Sequence, residues 1–275
     1  MSERDVLHTR IWREEGEPDN AFAAQRCWCA GYDVYGELLG KATWVEYLFL
    51  LFRGERPARG QAALLEALAI ALANPGPRDA SVSAAMNGGV AGSTYASCLM
   101  AGLAAGAGQL GGAHEVALTM EIWSQAGMRL DVWQQTLRHP VVDERIDIWQ
   151  PIEHAPGFDP HGASCALPVR QTLEHLARTD SQTGELAWLR QNRAALEAAA
   201  GAPLSMSGVA AAALQQLGFS ARQGEMLYLL LRLPGAAAHA LEQEEHGVNK
   251  YPFFRDALLV PNDPGPRGVA QARMP

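Results

Sequence analysis

Cysteine, positive charge and long apolar runs are all scarce in this sequence. Four cysteines in 275 residues, Cys27, Cys29, Cys98 and Cys165, are too few and too scattered for a disulfide scaffold. A reducing cytoplasm is the expected compartment, and Met1–Arg10 lacks the apolar stretch of a secretory signal. Basic residues number 22 against 30 acidic ones, a net charge of -8. That balance argues against a general binder of phosphate backbones, although it leaves room for a local cationic pocket. The nearest thing to a membrane span is residues 84–113, almost entirely Gly, Ala and Ser. Asn87, Ser93, Thr94, Ser97 and Gln109 interrupt it and few of its residues are strongly apolar. Neither nucleic acid nor membrane is expected as a partner, and the stretch reads as loop plus a buried helix that packs closely.

The common chemical motifs are missing too. There is no HExxH, no P-loop and no nucleophile elbow. Gly106-Ala107-Gly108 follows no strand, so it does not read as a dinucleotide fingerprint. Cys27-Trp28-Cys29 has no second pair to complete a metal site and reads as two packed thiols. The eight histidines are dispersed, and no metal is expected.

What is present is helical pattern nearly throughout, with 48% apolar residues to supply a core. Residues 44–53 form an apolar run that starts after Thr43, a good N-cap, and stops at Gly54 and Pro57. Further helices are expected at 60–73, 91–107, 114–126, 129–138, 169–178, 185–199, 206–217, 220–231 and 235–245, the last two separated by Pro234-Gly235. The stretch from Pro140 to Pro168 reads as a long functional loop, and 261–275 as an extended tail. Strand signals are confined to a small hairpin between the segments near residues 10 and 30. The fold class is all-α.

Four segments, in order, resemble the citrate synthase superfamily. GYDVYGELLGKATWVEYLFLLFRGERP at 31–57 is similar, without a gap, to the pattern YRGYxIxxLxxxxxFxEVAYLLLxGELP. GQLGGAHE at 108–115 resembles GPLHGGANE, or GxxFGGALD in the lyase branch. PGFDPHGASCALPVR at 156–170 is similar to PGFGHRVYxxxDPR, and LRLPGAAAHALEQ at 231–243 to ARxxGWIAHWLEQ. The compact length is closest to citryl-CoA lyase-like proteins and to the C-terminal module of ATP-citrate lyase. The resemblance implies a large helical domain (1–165 and 240–275), a small helical domain (166–239) and a cleft between them. It also implies a homodimer with small residues such as Ala91, Ser97, Ala101 and Ala105 at its interface, and a coenzyme A thioester as substrate with no permanently bound cofactor.

The resemblance carries site residues over one by one. Arg232 falls on the arginine that clamps a substrate carboxylate, the alternative being a surface arginine at a helix end; His239 reads as a packing histidine. His161, reached by one inserted residue, falls on the histidine that polarises the ketone oxygen and sets Arg170 on the arginine of DPR; without the insertion the position is Pro160, and Asp159–Gly162 is simply a turn. Arg78 replaces a substrate histidine, with Asp79 beside it as a displaced base. His114, at a helix N-terminus, takes the family's Asn position, and Leu110 replaces another histidine. Leu204 falls on the family's catalytic aspartate. It cannot accept a proton, and Ser205 beside it is a poor base. Asp79, Asp159 and Glu115 are the carboxylates to examine as substitutes. The reaction implied is making or breaking a carbon–carbon bond between an acyl-CoA and a 2-oxo acid, as in citryl-CoA to acetyl-CoA plus oxaloacetate. The alternatives are a non-catalytic CoA- or carboxylate-binding relative, or different acyl-CoA chemistry on the same fold.

Overall fold

The structure is a computed structural model that describes residues 8–139, 154–179 and 183–247. Most of the Pro140–Pro168 loop before His154, and the whole 261–275 tail, lie outside them. The described chain opens with a three-stranded antiparallel sheet in sequence order, β1 (Arg13–Glu17), β2 (Asn20–Cys29) and β3 (Tyr32–Asp33). The expected hairpin is its first two strands, in a register that places Arg13 opposite Trp28 and Glu14 opposite Cys27. Alternation along β2 turns Cys27 and Cys29 to the buried side, while Trp28 carries the Arg13 guanidinium 4.7 Å from its ring centre. A π-helical turn (Val34–Leu38), capped by the Asp33 carboxylate, leads into the helices.

Helix α1 (Trp44–Arg53) has the start and stop that its sequence announces. Thr43 Oγ1 accepts the N–H of Glu46 at 3.3 Å, and Glu46 Oε2 accepts the N–H of Thr43 at 2.7 Å. At the other end Gly54 takes a left-handed conformation (φ 73°) that suits glycine. Then follow α2 (Arg59–Ala73), α3 (Ala80–Val90), α4 (Tyr95–Gly106), α5 (Ala113–Ala126), α6 (Leu130–Arg138), α7 (Leu167–Thr179), α8 (Glu185–Ala200), α9 (Met206–Gln216) and α10 (Ala221–His246). The all-α reading holds, and most boundaries fall within two residues of expectation.

Three expectations need correction. The small-residue stretch contains not one helix but two, α3 and α4, broken at Ala91–Ser93. Glycines make their mutual approach possible: a β-carbon on Gly88 would meet Cys98 Sγ at 2.9 Å, and one on Gly102 would meet Ser81 O at 3.2 Å. The close-packing signal is therefore answered inside the chain. Second, Pro234 does not end a helix; α10 runs through it. One ladder hydrogen bond is lost, but α10 packs on α2, α3, α4, α5 and α9. Gly235 gives α10 the room to sit directly against the backbone of Ala73 and Asn74, so tertiary contacts override the local break. Third, Pro168 lies in the first turn of α7, where a missing N–H costs nothing.

The main core gathers the inward faces of α1, α2 and α5 to α10. Trp123, Trp133 and Trp188 pack edge to face, with centroids 4.8 Å (123 to 133) and 5.3 Å (123 to 188) apart, and pin α5, α6 and α8 together. A satellite cluster of Ala85, Cys98, Ala236 and Ala240 seals α3 and α4 onto α10.

Candidate functional site

Arg232 projects from α10 amid Leu229, Leu230, Leu231 and Leu233, and only 5% of it is exposed. A buried guanidinium must be paired. Its Nη2 donates to the Asp79 carboxylate, its Nη1 donates to Gly111 O at 3.0 Å, and its plane lies over Tyr228, one turn earlier, at 4.8 Å. Asp79 caps α3: Oδ1 accepts the N–H (2.9 Å) and the hydroxyl of Ser81, leaving Oδ2 for Arg232. Both carboxylate oxygens are thus engaged. The Tyr228 hydroxyl donates to the same Gly111 carbonyl at 3.2 Å. Burial and the nearby carboxylates of Asp79 and Glu115 push its phenol up to about 12, against the opposing pull of Arg232.

Gly111 is the hub of this cluster. Its left-handed backbone (φ 67°) aims its carbonyl at α10 and its N–H at the Glu115 carboxylate. Gly112 then caps α5, and a side chain there would collide with the Gly108 backbone. Glu115 is 1% exposed. Besides Gly111 N–H it accepts Gly157 N–H at 2.7 Å, and His154 Nε2 lies 3.6 Å from the same oxygen. His114, on the other flank of the first turn of α5, sits 3.4 Å from Glu225 of α10.

Gly157 joins this cluster to the loop that follows. Phe158 and Leu204 form an isolated antiparallel bridge, with Asp159 N–H on Pro203 O at 2.8 Å and Ser205 N–H on Gly157 O at 3.0 Å. Gly157 (φ 89°) takes a left-handed conformation that suits glycine, and a β-carbon there would press on Gly208 Cα and Thr119 at 3.1 Å. Leu204 is 2% exposed and its side chain belongs to the main core.

The six sequence-derived site residues fall into two groups and a remainder. Asp79, Arg232 and His114 converge on the turn before α5. Arg170 lines an open cavity of about 590 Å³ beside the exposed His161 turn, where His161 N–H closes on Asp159 Oδ1 at 2.9 Å. Arg78 is exposed on the loop before α3. None of the three carboxylates named as substitutes for the missing base is free: Asp79 holds Arg232, Asp159 holds its own turn, and Glu115 clips Gly111 to Gly157. His239 bonds Asn74 Oδ1 at 3.1 Å and so ties α10 to the end of α2, a packing role.

The cavity brings in residues that no motif had signalled. Arg193 donates to both oxygens of Glu197 at 2.7 Å, and Glu197 Oε1 also accepts the N–H of Leu204 at 3.1 Å. Hydrogen bonding to Glu197 holds Arg193 even more firmly protonated. Burial, with the Glu197 charge, pushes the neighbouring Cys165 thiol up despite Arg193 and Arg170. The only sequence trace of this group is the i, i+4 spacing of Arg193 and Glu197, which surface helices share. Among the described residues Arg170 has no ion pair, so one cation in this cavity is unneutralised. Its volume is in the range of small-molecule sites.

No protein-family model matches the sequence, and no curated protein sequence does. Solved structures do. Citryl-CoA lyase from Hydrogenobacter thermophilus superposes with a TM-score of 0.68 at 20% identity, covering 98% of this chain and 98% of that one. This chain shares that protein's fold. ATP citrate lyase from Methanothrix soehngenii, in complex with citrate and coenzyme A, matches at TM-score 0.67 and 18% identity over 94% of this chain and 42% of that one. A mutant ATP citrate lyase from Methanosaeta concilii, in complex with (3S)-citryl-CoA, matches at TM-score 0.66 and 18% identity over 88% and 39%. The all-α fold class expected from the four sequence segments is thereby borne out, and the chain corresponds to about two fifths of the ATP citrate lyases. No described helix is long and apolar enough to cross a membrane.

Proposed function

We propose that this chain is a citryl-CoA lyase-like enzyme that makes or breaks a carbon–carbon bond between an acyl-CoA and a 2-oxo acid. The observation that carries the reading is end-to-end coverage, 98% in both directions, by a citryl-CoA lyase. Fold does not fix function, and the side chains add the chemistry. In this reading the thioester enters as substrate, with no resident cofactor, between a large domain (1–165 and 240–275) and a small one (166–239). Arg170, the cation without an ion pair among the described residues, receives the coenzyme A phosphates in the cavity it lines, while Glu197 keeps Arg193 engaged beside it. In the cleavage direction the hydroxyl of the substrate loses its proton, the bond between the α- and β-carbons breaks, and the enolate of the thioester takes up a proton at the α-carbon. His114, backed by Glu225, and His161, at the rim, are the proton carriers this reading assigns. A cytoplasmic homodimer completes it. Four buried free cysteines fit a reducing compartment, and Tyr95 and Met100 of α4 with Leu230 and Leu241 of α10 are large exposed apolar groups that fit a subunit contact.

One observation favours a second reading, a relative that binds a CoA or carboxylate ligand without turning it over: Leu204 is built into the core, and among the described residues Asp79, Asp159, Glu115 and Glu197 are all engaged by other groups. Purified protein incubated with citryl-CoA, with acetyl-CoA quantified by chromatography, separates the two. Release of acetyl-CoA above the buffer rate supports the lyase. Stabilisation by CoA without release supports the binder, and at 100 times its dissociation constant CoA raises stability by about 2.7 kcal/mol. Neither effect overturns both.

A further inference from the structure

We infer that His239 is a proton-operated clasp between α10 and the 74–79 loop: as an imidazolium it ties the start of that loop to α10, and on losing a proton it lets that end go. Helix α10 holds the loop at both ends. Arg232 takes Asp79 at the far end. His239, two turns along the same face of α10, takes Asn74 at the near end, with Nε2 3.1 Å from Oδ1.

The proton count follows from the partners. Asn74 Oδ1 also accepts the N–H of Gly76 at 3.2 Å. A backbone N–H only donates, so that atom is the amide oxygen and His239 Nε2 must donate to it. The other ring nitrogen, Nδ1, lies 3.3 Å from Glu242 Oε2, and an ionised carboxylate only accepts. Imidazolium has two N–H groups and fills both oxygens. Neutral imidazole has one. That one goes to the carboxylate, because a hydrogen bond to an ionised acceptor is about twice as strong as a neutral one, and a lone pair is left facing Asn74. Glu242 thus turns a loss of charge into a loss of the tie.

No neighbouring charge duplicates the effect. Helices α3 and α4 pack against Ala236 and Ala240, on either side of His239 in the chain. Helix α3 carries no titratable side chain, α4 has only Tyr95 and Cys98, and residues 67–73 of α2 have none. In the loop Asp79 is committed to Arg232, and Arg78 is exposed. On α10 itself His246 Nε2 lies 4.0 Å from the other oxygen of Glu242. The tie is therefore intact on the acid side of the histidine range and lost as pH rises through it, between about pH 5 and 8. With it goes one of two anchors of a loop whose far end caps α3.

Hydrogen exchange of the full chain at the two ends of that range, corrected for intrinsic rates, reads the tie at the amides of Gly76, Arg78 and Asp79. Wild type should lose protection there about tenfold at the higher pH. Glu242→Gln should keep protection at both, because its amide can donate to Nδ1 and leave the single imidazole proton for Asn74. His239→Phe should be unprotected at both. Wild-type protection that does not change with pH, a Glu242→Gln variant that keeps the wild-type pH dependence, or a His239→Phe variant as protected as wild type in acid overturns the inference. If His239→Phe does not fold, the Glu242 variant still decides, since that side chain is 53% exposed. Nitrogen spectra of the wild-type chain with isotope-labelled histidine read the ring directly. Two protonated nitrogens in acid and Nδ1–H alone at the higher pH support the clasp; Nε2–H alone at the higher pH overturns it.

Discussion

The Glu115 carboxylate accepts the backbone N–H of Gly157, 42 residues along the chain, at 2.7 Å, and clips the loop after His154 to the start of α5. Its second oxygen holds Gly111 N–H, so one buried side chain sets both backbones of the candidate site. Replacing Glu115 by Ala orphans two buried donors and leaves a void, which should cost about 4 kcal/mol. Gln keeps part of the bonding and should cost about 2 kcal/mol. Urea unfolding measures both. An Ala variant within about 0.5 kcal/mol of wild type would show that the clip is idle.

Leu204 stands where the related pattern has an aspartate, yet the structure gives it a different job. It is buried among core residues, and its backbone is paired with Phe158 and with Glu197. Leu204→Asp should therefore lower stability by about 3–5 kcal/mol, from lost apolar burial and a carboxylate forced into the core. It should not raise acetyl-CoA release from citryl-CoA above the wild-type rate. Leu204→Asn separates the two costs by omitting the charge. A folded Asp variant as stable as wild type that releases acetyl-CoA faster than wild type does would contradict this placement.

Tyr228 makes stability fall in alkali. Its phenol is held neutral up to about 12 in the folded state, against about 10 when unfolded. Between those values the unfolded chain loses the proton while the folded chain keeps it. Stability is therefore intact below pH 10 and lost as pH rises toward 12, by about 3 kcal/mol from this group. Tyr228→Phe should flatten that part of the profile, measured by urea unfolding from pH 9 to 11.5. An unchanged slope would mean that the phenol ionises freely in the folded protein.

Helices with local punctuation were readable residue by residue. Thr43, Glu46 and Gly54 delimit α1 without help from elsewhere. Helix α3 was not readable, because Ser, Asn and a Gly pair in ASVSAAMNGGV are poor helix formers. Its partners are distant: a β-carbon on Gly89 would strike the backbone of Ala240 in α10. Pro234 misled for the same reason, since what holds α10 together comes from five neighbouring helices. The site divides in the same way. The family resemblance marked Arg232, in the segment that also carries His239, and Asp79 by its place beside Arg78. Their ion pair spans 153 residues and no local pattern encodes it. Glu197 and Arg193 look in sequence like any surface pair, and only the fold turns them toward Arg170.

The remaining question of assembly turns on α4. Its small face, Cys98, Gly102 and Gly106, is spent on α3 and α10, so it is not available to a second copy. Of the residues first expected at the interface, Ala91 and Ala105 are exposed while Ser97 and Ala101 are half-buried. The larger outward groups are Tyr95 and Met100, the latter 60% exposed. If a homodimer forms through this face, burying Met100 contributes about 2 kcal/mol per subunit, and a carboxylate in its place would be buried unpaired. Met100→Asp should then yield a monomer at micromolar concentration with the melting transition of an intact fold, while Ala101→Trp should weaken the dimer by crowding. Light scattering coupled to size exclusion reads the mass directly. A wild-type monomer, or a Met100→Asp variant that remains dimeric, would place the interface elsewhere or remove it.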